Sequence, residues 1–425
     1  MYDLRFIREN EALLREAVRK KGEKADIDRL MEFDQRRREL LGQVEELKAE
    51  RNRQSQEIGK KKAAGENAEE AIVAMREVGE RIKAFDQELA DLLPQMDELI
   101  SWIPNVPHET VPEGDESNNR LVREWGTPRR DEGLLNHVDL GTALGVLDLT
   151  AASAMSGHGF VILSGEAARL QRALINFMVD RHVASGYREV RIPYATRAEA
   201  LFGCGQLPKL EEDMYRIPLD ELFLIPTAEV PLTNLMRGQD LRAEDLPLQF
   251  VAYSPCFRRE AGTYGKDTRG LIRVHQFDKV EMVKIVAPDQ SYQALEDLTA
   301  DAEAILKALE LPYRVLELAT GDLSFAAAKC YDLELWAPGE QRWLEVSSCS
   351  NFEAFQARRI GLRCRTAQGK KEFVHTLNGS GVALPRLIVA IFEHYQTGEG
   401  TVRVPEVLRP YMGGADQIRG AETGR

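Results

Sequence analysis

The chain has 425 residues, a net charge of −13 and 43% hydrophobic residues. This length is typical of two or three domains with a sizeable core, and it argues against a mainly disordered chain. The acidic balance argues against a uniformly basic nucleic-acid-binding protein, although one segment can still carry a basic surface. We expect no DNA partner.

Membrane and disulfide features are also missing from the sequence. No run approaches the roughly 20 apolar residues that cross a bilayer, and the first residues lack a signal-peptide core. The five cysteines include no CxxC pair, and the seven histidines are scattered. We therefore predict a cytoplasmic protein with reduced thiols, no membrane partner and no zinc site.

Residues 1–103 are predicted to form a helical module. Apolar residues recur in alternating steps of three and four from Leu30 to Ile58, and more regularly from Ile72 to Ile103. This is the spacing of a coiled-coil seam. Gly65 is a suitable C-cap for the first helix and the following polar residues offer an N-cap for the second, Asn67. We predict a long antiparallel helical hairpin.

Charge differs between the two predicted helices. Residues 36–62 contain nine basic and five acidic residues, whereas residues 69–98 contain three basic and nine acidic residues. One interpretation is two solvated faces with opposite-charge neighbours. The other is that the first helix presents cations to a polyanion. The cations that we single out are Arg51, Arg53, Lys60, Lys61 and Lys62.

The remainder of the chain has a different character. Residues 104–130 are rich in Pro, Gly, Asn and charge, and they are predicted to be a linker. Residues 131–425 mix helices with apolar or alternating strands. Because strand follows strand through the middle, we predict an α+β domain with a largely antiparallel sheet. Its clearest elements are a helix at 167–185 and strands at 248–253, 272–283 and 331–336.

Neither common nucleotide fingerprint, GxxxxGK[ST] or a strand-associated GxGxxG, occurs in the sequence. A candidate phosphate site begins instead at FRREAG (residues 257–262), continues through a Gly- and Lys-containing loop to Gly270, and enters the strand predicted at 272–283. Alternation along that strand places Arg273, Phe277 and Glu281 on one side. Such side chains can hold phosphate, stack a base and bind an amine or hydroxyl.

Two further segments carry suitable chemistry. Residues 342–352, RWLEVSSCSNF, combine acidic and hydroxyl oxygens, which are the ligands that Mg²⁺ prefers. Residues 378–390, NGSGVALPRLIVA, place small residues before a helix whose first turn contains Arg386. Gly beside Ser allows a ligand to approach the backbone closely.

In combination these segments resemble the seryl-tRNA synthetases, a family of class II aminoacyl-tRNA synthetases. PTAEVPLTN (226–234) is similar to the family's serine-binding segment, and FRREAGTYGKDTRGLIRVHQFDKVEM (257–282) is similar to class II motif 2. EVSSCSNFEAFQARR (345–359) resembles the metal and nucleotide strand, and LNGSGVALPRLIVAIFEHYQ (377–396) resembles motif 3. The resemblance covers essentially the whole chain.

The resemblance implies a homodimer in which residues 131–425 form the class II catalytic domain and residues 1–103 form a tRNA-binding arm. It also implies the ATP- and Mg²⁺-dependent attachment of L-serine to tRNA through a seryl-adenylate, with selenocysteine tRNA as a further candidate substrate. Retention of the arm favours tRNA over the carrier proteins that armless paralogues charge. A noncatalytic RNA-binding paralogue is the alternative, and the complete charged set in the motifs disfavours it.

The resemblance further implies roles for individual residues. Arg258 and Arg386 would be catalytic, and Glu345 and Ser348 would hold the metal. Strict strand alternation places Glu345 and Ser348 on opposite faces, so the strand ends or bulges there or one role is misassigned. Serine would be bound by Thr227, Ala228, Glu229, Glu281 and Ser380. ATP would be bound by Arg258, Arg259, Glu260, Arg273, Val274, Phe277, Glu345, Val346, Ser347, Ser348 and Arg386.

Three positions depart from the family pattern. Pro385 precedes the motif 3 arginine where many relatives have Gly, which is compatible with a helix start. Cys204 replaces a common Thr. His158-Gly159 stands where relatives have Arg. We interpret all three departures as lineage variation, and His158-Gly159 is the one that bears on a contact, which the sequence alone does not locate.

Overall fold

The computed structural model describes residues 1–261, 269–366 and 369–420, and the chain divides into two compact units, Met1–Pro104 and Asn105–Arg425. Most of the predicted Gly- and Lys-containing loop that ends at Gly270 lies outside the described residues, because they omit residues 262–268. Within the described part, no helix combines the length and apolar character needed to cross a membrane.

The first unit is entirely helical, and its two long helices confirm the predicted hairpin. Gly65, in the connection between them, has a φ of +76°, and the Asn67 side chain accepts a 2.9 Å hydrogen bond from the backbone nitrogen of Glu69. This short turn reverses the chain, and the N-cap position of the second long helix is Ala68, one residue after the predicted Asn67. The helices are α1 (Leu4–Glu9), α2 (Glu11–Lys20), α3 (Ile27–Ala63) and α4 (Glu69–Ser101).

Packing along α3 and α4 follows the predicted seam. Leu47 of α3 packs in one apolar cluster with Val78 and Ile82 of α4. Arg37, a polar residue in the predicted seam, donates instead to the buried Asp34 carboxylate at 3.0 Å. The hairpin is therefore held by apolar contacts, with one buried carboxylate satisfied by arginine.

The second unit has the predicted α+β fold, and its main sheet has eight strands. Its helices are α5 (His137–Ala143), α6 (Leu149–Ser156), α7 (Gly165–Ala184), α8 (Ala198–Gly203), α9 (Glu229–Asn234), α10 (Ser291–Ala308), α11 (Phe355–Ile360) and α12 (Leu384–Tyr395). The first strands are β1 (Arg120–Trp125), β2 (Leu147–Asp148), β3 (Ile162–Leu163), β4 (Arg188–Glu189), β5 (Ala195–Arg197), β6 (Arg216–Ile217), β7 (Leu222–Leu224), β8 (Asp240–Arg242) and β9 (Leu248–Phe257). The remaining strands are β10 (Gln276–Val286), β11 (Tyr313–Glu317), β12 (Lys329–Ala337), β13 (Arg342–Asn351), β14 (Arg363–Arg365), β15 (Lys371–Phe373), β16 (His375–Ala383), β17 (Val402–Arg403) and β18 (Gln417–Ile418).

The main sheet runs β1-β11-β12-β13-β16-β10-β9-β4. All of its pairs are antiparallel except β4 with β9. The edge strand β1 lies within residues 104–130, which we had predicted to be a linker. Its pairing with β11, together with hydrogen bonds from the Asn105 side chain to the oxygens of Ala326 and Phe352, attaches this segment to the second compact unit, which begins at Asn105 and not at residue 131.

Helices α7, α10 and α12 cover one face of the sheet. Val280 and Met282 of β10 are fully buried in the same core as Leu298 of α10 and Leu387 of α12. Alternation then directs the odd-numbered residues of β10 to the other face. The predicted start of this strand, residue 272, was too early, because β10 begins at Gln276. Arg273 therefore precedes the strand, and strand alternation does not determine the direction of its side chain.

Candidate active site

The open face of the sheet carries a cavity of about 530 Å³. It is bounded by β10, β13 and β16, by the segment before α9 and by the start of α12. Residues predicted from the sequence supply much of its lining: Thr227, Glu229, Arg258, Glu260, Arg273, Val274, Phe277, Glu345, Val346, Ser348, Ser380 and Arg386. A second depression, of about 630 Å³ near Trp125 and Arg403, contains none of these residues.

Arg258 lies at one side of the cavity, just after β9. Its guanidinium carbon lies 5.1 Å from the centre of the Phe277 ring, and its Nε donates to the backbone oxygen of Pro226 at 3.4 Å. Arg273, which follows the loop, forms a 2.9 Å ion pair with Glu260. The cavity thus has a cation adjacent to an aromatic plate, and this combination suits a nucleotide phosphate and its base.

The backbone of Arg258 is held by His275. The Arg258 nitrogen donates to the His275 oxygen at 2.9 Å, and the His275 Nδ1 donates to the Arg258 oxygen at 3.0 Å. His275 in turn donates its backbone N–H to the oxygen of Gly159 at 2.8 Å. A Cβ on Gly159 would lie 2.1 Å from the His275 ring. The His158-Gly159 departure is therefore located directly behind the Arg258 site.

The strand β13 contains a bulge, which is one of the alternatives that the sequence analysis gave for Glu345 and Ser348. Leu333 of β12 pairs with Ser347, whereas the next residue, Glu334, pairs with Glu345, so Val346 is an extra residue. The bulge cancels the alternation, and both Glu345 and Ser348 line the cavity. The prediction that they share a site is thus compatible with this strand.

Arg386 enters the cavity from the first turn of α12. Its Nη1 donates to the Glu345 backbone oxygen at 2.7 Å and lies 3.4 Å from the Glu345 carboxylate. Its Nε donates to the backbone oxygen of Ile272 at 3.0 Å. Pro385 occupies the start of the helix, where its missing N–H costs no helical hydrogen bond.

The inner end of the cavity is polar and almost closed to solvent. The Asn378 side chain donates to Glu281 at 2.7 Å and to Glu229 at 3.4 Å, and Gln356 donates to the other Glu229 oxygen at 2.6 Å. Burial, together with the nearby Glu281 carboxylate, raises the pKa of Glu229 to about 7. Two buried carboxylates are thus held together by amide donors.

Four predicted residues do not line the cavity directly. Ala228 is fully buried and precedes α9, and Glu281 is fully buried beneath Asn378. The Ser347 hydroxyl donates to the Ser380 backbone oxygen at 2.6 Å, so it supports the strand that carries Ser380. Arg259 is exposed, and its Nη1 donates to the backbone oxygen of Glu212 at 3.0 Å.

Sequence reasoning missed Lys279 and Asn378, which also line the cavity. A signal for Lys279 was available, because it alternates with Phe277 and Glu281 along β10. Asn378 lies at the start of the small-residue segment, but its contacts with Glu229 and Glu281 join distant parts of the chain.

A potential metal cluster lies outside the cavity among the described residues: His137, Glu340 and Glu393. The His137 Nε2 accepts a 3.1 Å hydrogen bond from the Leu271 nitrogen, so Nδ1 carries the ring proton and donates to Glu393 at 3.1 Å. Glu393 also accepts the backbone N–H groups of His137, Gly339 and Glu340. This arrangement is a satisfied hydrogen-bond network that leaves the imidazole no free lone pair for a cation.

The antiparallel sheet, its flanking helices and a cavity lined by arginines and carboxylates define a class II aminoacyl-tRNA synthetase. Residues 213–395 match the family model for the tRNA synthetase class II core domain (G, H, P, S and T), and residues 1–107 match the seryl-tRNA synthetase N-terminal domain. The chain belongs to the seryl-tRNA synthetase family.

Relatives extend over nearly the whole chain. The serine–tRNA ligase of Desulfitobacterium hafniense is 51% identical over 97% of this chain and 99% of its own length, and that of Thermomicrobium roseum is 52% identical over 98% and 95%. The seryl-tRNA synthetase of Pyrococcus horikoshii, solved with ATP, superposes with a TM-score of 0.93 at 38% identity, covering 99% of this chain and 100% of that one. The Naegleria fowleri cytoplasmic enzyme, solved with AMP, gives 0.88 at 30% identity, covering 99% of each chain.

Proposed function

We propose that this protein attaches L-serine to tRNA in two steps. The serine carboxylate attacks the α-phosphate of ATP, which gives seryl-adenylate and pyrophosphate, and the terminal ribose hydroxyl of tRNA then accepts the seryl group. The observation that carries this proposal is the convergence of Arg258, Arg386 and Glu229 on one cavity, with Glu281 buried beneath Asn378 at its inner end, in a chain of this family.

Activation is assigned to the two arginines. Arg258 would hold the α-phosphate and the serine carboxylate, since a guanidinium can bind two oxygens of an anion at once. Phe277, beneath the Arg258 guanidinium, would stack the adenine. Arg386 would hold the γ-phosphate. Catalysis would then come from positioning and charge neutralisation, without a protein nucleophile.

The donor set of β13 fits Mg²⁺. Glu345 offers a carboxylate and Ser348 a hydroxyl on the same side of the bulged strand, and hard oxygen ligands are those that Mg²⁺ prefers. We assign both residues as its ligands, with Glu345 also contributing to the nucleotide site. When bound, the ion would neutralise phosphate charge.

Serine would occupy the inner, closed end of the cavity. Thr227, Glu229, Glu281 and Ser380 supply polar groups there, and Asn378 adds an amide between the two carboxylates. An amino acid that lacks the hydroxyl would leave buried polar groups unpaired. The free-energy penalty for this is larger than the discrimination that one methyl group provides in an apolar pocket.

The helical hairpin would bind tRNA. Arg36 of α3 pairs with Glu88 of α4, and Lys48 of α3 pairs with Asp86 of α4. These pairs agree with the interpretation that the two helices have opposite-charge neighbours. Closer to the turn, the structure gives the exposed cations of α3 no ion pair with any described carboxylate, which supports a polyanionic partner. These cations are Arg51, Arg53, Lys60, Lys61 and Lys62.

Family membership also supports a homodimer and a cytoplasmic location. It is in keeping with a tRNA-binding role for residues 1–103 and with catalysis by the unit that follows. Light scattering of the purified chain tests the dimer, for which we expect twice the 47.9 kDa chain mass.

Pyrophosphate–ATP exchange tests the proposed activity. We expect exchange that depends on serine and magnesium, followed by charging of serine tRNA, with selenocysteine tRNA as a second arm of the assay. Exchange driven by another amino acid but not by serine contradicts the proposal, and binding of tRNA without any exchange favours the noncatalytic alternative.

A further inference from the structure

The buried pair of His137 and Glu393 touches the chain segment that forms one wall of the cavity. The His137 ring is 0% exposed, and its Nε2 accepts the backbone N–H of Leu271 at 3.1 Å. Leu271 and the residues 272–274 that follow it line the cavity. Because His137 has no exposed surface with which to touch a substrate, it can act on the reaction only through this segment.

The ring approaches this segment closely. Gly270 has a φ of +68°, and a Cβ there would lie 2.2 Å from the His137 Nε2. Glycine adopts this backbone conformation without strain and leaves room for the imidazole. The exposed Arg269 also donates to Asp139 of α5 at 2.6 Å. Helix α5 therefore contacts residues 269–271 twice, and the buried contact through His137 is the one that solvent does not screen.

Helix α12 fixes the orientation of the imidazole. One Glu393 oxygen accepts both the backbone N–H and the Nδ1–H of His137, at 2.9 and 3.1 Å. The other oxygen accepts the backbone N–H groups of Gly339 and Glu340 at 2.8 and 3.1 Å. Because Nδ1 is held as a donor by a carboxylate that four N–H groups fix in place, Nε2 remains an acceptor directed at Leu271.

The same helix contacts the segment a second time, through Arg386. The Arg386 Nε donates to the oxygen of Ile272, the residue after Leu271, at 3.0 Å. Arg386 and Glu393 are seven residues apart in α12, which is about two turns, so they lie on the same side of the helix. Both helix residues are thus joined through His137 and the segment into one closed ring of hydrogen bonds.

We propose that His137 is a positioning residue for the nucleotide end of the cavity. By accepting the Leu271 N–H, it places the oxygen of the neighbouring Ile272. That oxygen in turn orients the Arg386 guanidinium, whose planar set of donors must be aligned to bind phosphate. This inference rests on the proposed function, which assigns Arg386 to the γ-phosphate of ATP.

Nucleotide affinity tests this role, because AMP lacks the phosphate that Arg386 would hold. We compare ATP with AMP by calorimetry in the presence of magnesium. His137→Leu should weaken ATP binding by about tenfold or more, the effect of one misdirected charge-assisted hydrogen bond, and leave AMP binding within about threefold. His375→Leu is the matched control. It removes another partly buried imidazole, one bonded to the Ser291 hydroxyl at 2.8 Å, and should change neither affinity.

Further variants keep the test decisive if His137→Leu folds poorly. His137→Gln offers an amide oxygen to the Leu271 N–H and should recover most of the ATP affinity. Gly270→Ala disturbs the same contact from the other side and should reproduce the loss that is selective for ATP. Gly133→Ala is its control, since Gly133 has a φ of +77° and a Cβ there would meet no described atom within 4 Å.

A double-mutant cycle with Arg386→Ala tests the route of the effect. In the Arg386→Ala background, His137→Leu should cost less than about twofold in further ATP affinity, because the group that it positions is already gone. Unchanged ATP affinity in His137→Leu, an equal loss for ATP and AMP, or losses that multiply in the double variant would each overturn the inference. Failure of the proposed function gives a different result, because the wild-type chain would then show no serine-dependent exchange.

Discussion

Arg386 donates a 2.7 Å hydrogen bond to the backbone oxygen of Glu345, and the same nitrogen lies 3.4 Å from the Glu345 carboxylate. The first turn of α12 is thereby joined to the bulge of β13. The Glu345 carboxylate is therefore held beside an arginine assigned to phosphate, on the strand that also carries Ser348, which is assigned to the metal. This relationship makes Glu345 the most direct test of the nucleotide end of the cavity.

Substitution Glu345→Gln should raise the magnesium concentration required for half-maximal exchange. Loss of a ligand should cost at least the roughly tenfold that is typical for loss of a supporting residue around a metal. The measurement is a magnesium titration of serine-dependent exchange. Glu334→Gln, on the neighbouring strand and paired with Arg314, is the matched control. An unchanged magnesium requirement in the Glu345 variant contradicts the metal assignment.

Gly159→Ala should impair activation through Arg258. The added Cβ would collide with His275, which holds the Arg258 backbone, and displacement of a positioned group by about 1 Å can cost roughly 10²-fold in rate. Single-turnover adenylate formation measures the effect.

Gly157→Ala is the control for that experiment. Gly157 has a φ of +93°, comparable with +82° at Gly159, but a Cβ there meets no atom of the described residues within 4 Å. Both changes strain the backbone, and only Gly159→Ala reaches His275. An equal loss of activity in the two variants would show that backbone strain alone, and not the contact with His275, causes the loss.

Glu229 makes stability depend on pH. Its pKa rises from an ordinary 4.5 to about 7 in the folded chain, so the folded state binds a proton that the unfolded state has lost between these values. The free energy of unfolding should therefore fall as pH rises from about 4.5 to 7, by about 3 kcal/mol for this group. The destabilisation that comes from burying the ionised Glu229 carboxylate is absent below this pH range and fully present above it.

Glu229→Gln should remove this dependence. Urea unfolding at pH 5 and pH 8 should show a smaller decrease in the variant than in the wild type. Glu132→Gln, at an exposed position, should retain the wild-type decrease. The same decrease in both variants would show that Glu229 is ionised throughout the range.

The cations near the hairpin turn should affect tRNA and not serine activation. Replacing Lys60, Lys61 and Lys62 by Ala should raise the KM for tRNA and reduce the slope of log affinity against log salt by roughly two units. Pyrophosphate exchange should persist. Lys48→Ala, which removes a cation that faces Asp86, should have the smaller effect. Loss of exchange and charging together would indicate a structural role for the hairpin.

Local sequence patterns predicted much of this architecture. The three-and-four spacing predicted the hairpin, and alternation placed Phe277 and Glu281 on one face of β10. Lys279 follows the same alternation. It was overlooked because the sequence does not show that this lysine is buried. The linker prediction overlooked β1 because this strand depends on its pairing with β11.

Contacts between distant segments were beyond the reach of the sequence. The shared side of Glu345 and Ser348 depends on a bulge at Val346, which exists only through the register with β12. Arg273 precedes β10, so its place in the cavity follows from the path of the chain and its pair with Glu260. Likewise, Glu229 meets Gln356 and Asn378 only after α9, α11 and β16 have packed together.

Isotope transfer from serine to AMP tests the central claim most directly. With serine labelled by ¹⁸O in its carboxylate, attack on the α-phosphate followed by transfer to tRNA leaves one labelled oxygen in AMP, which mass spectrometry detects. We predict labelled AMP in a one-to-one ratio with seryl-tRNA. Formation of AMP that carries no label would contradict serine activation in this cavity. The same holds if no AMP forms when serine, ATP, magnesium and tRNA are all supplied.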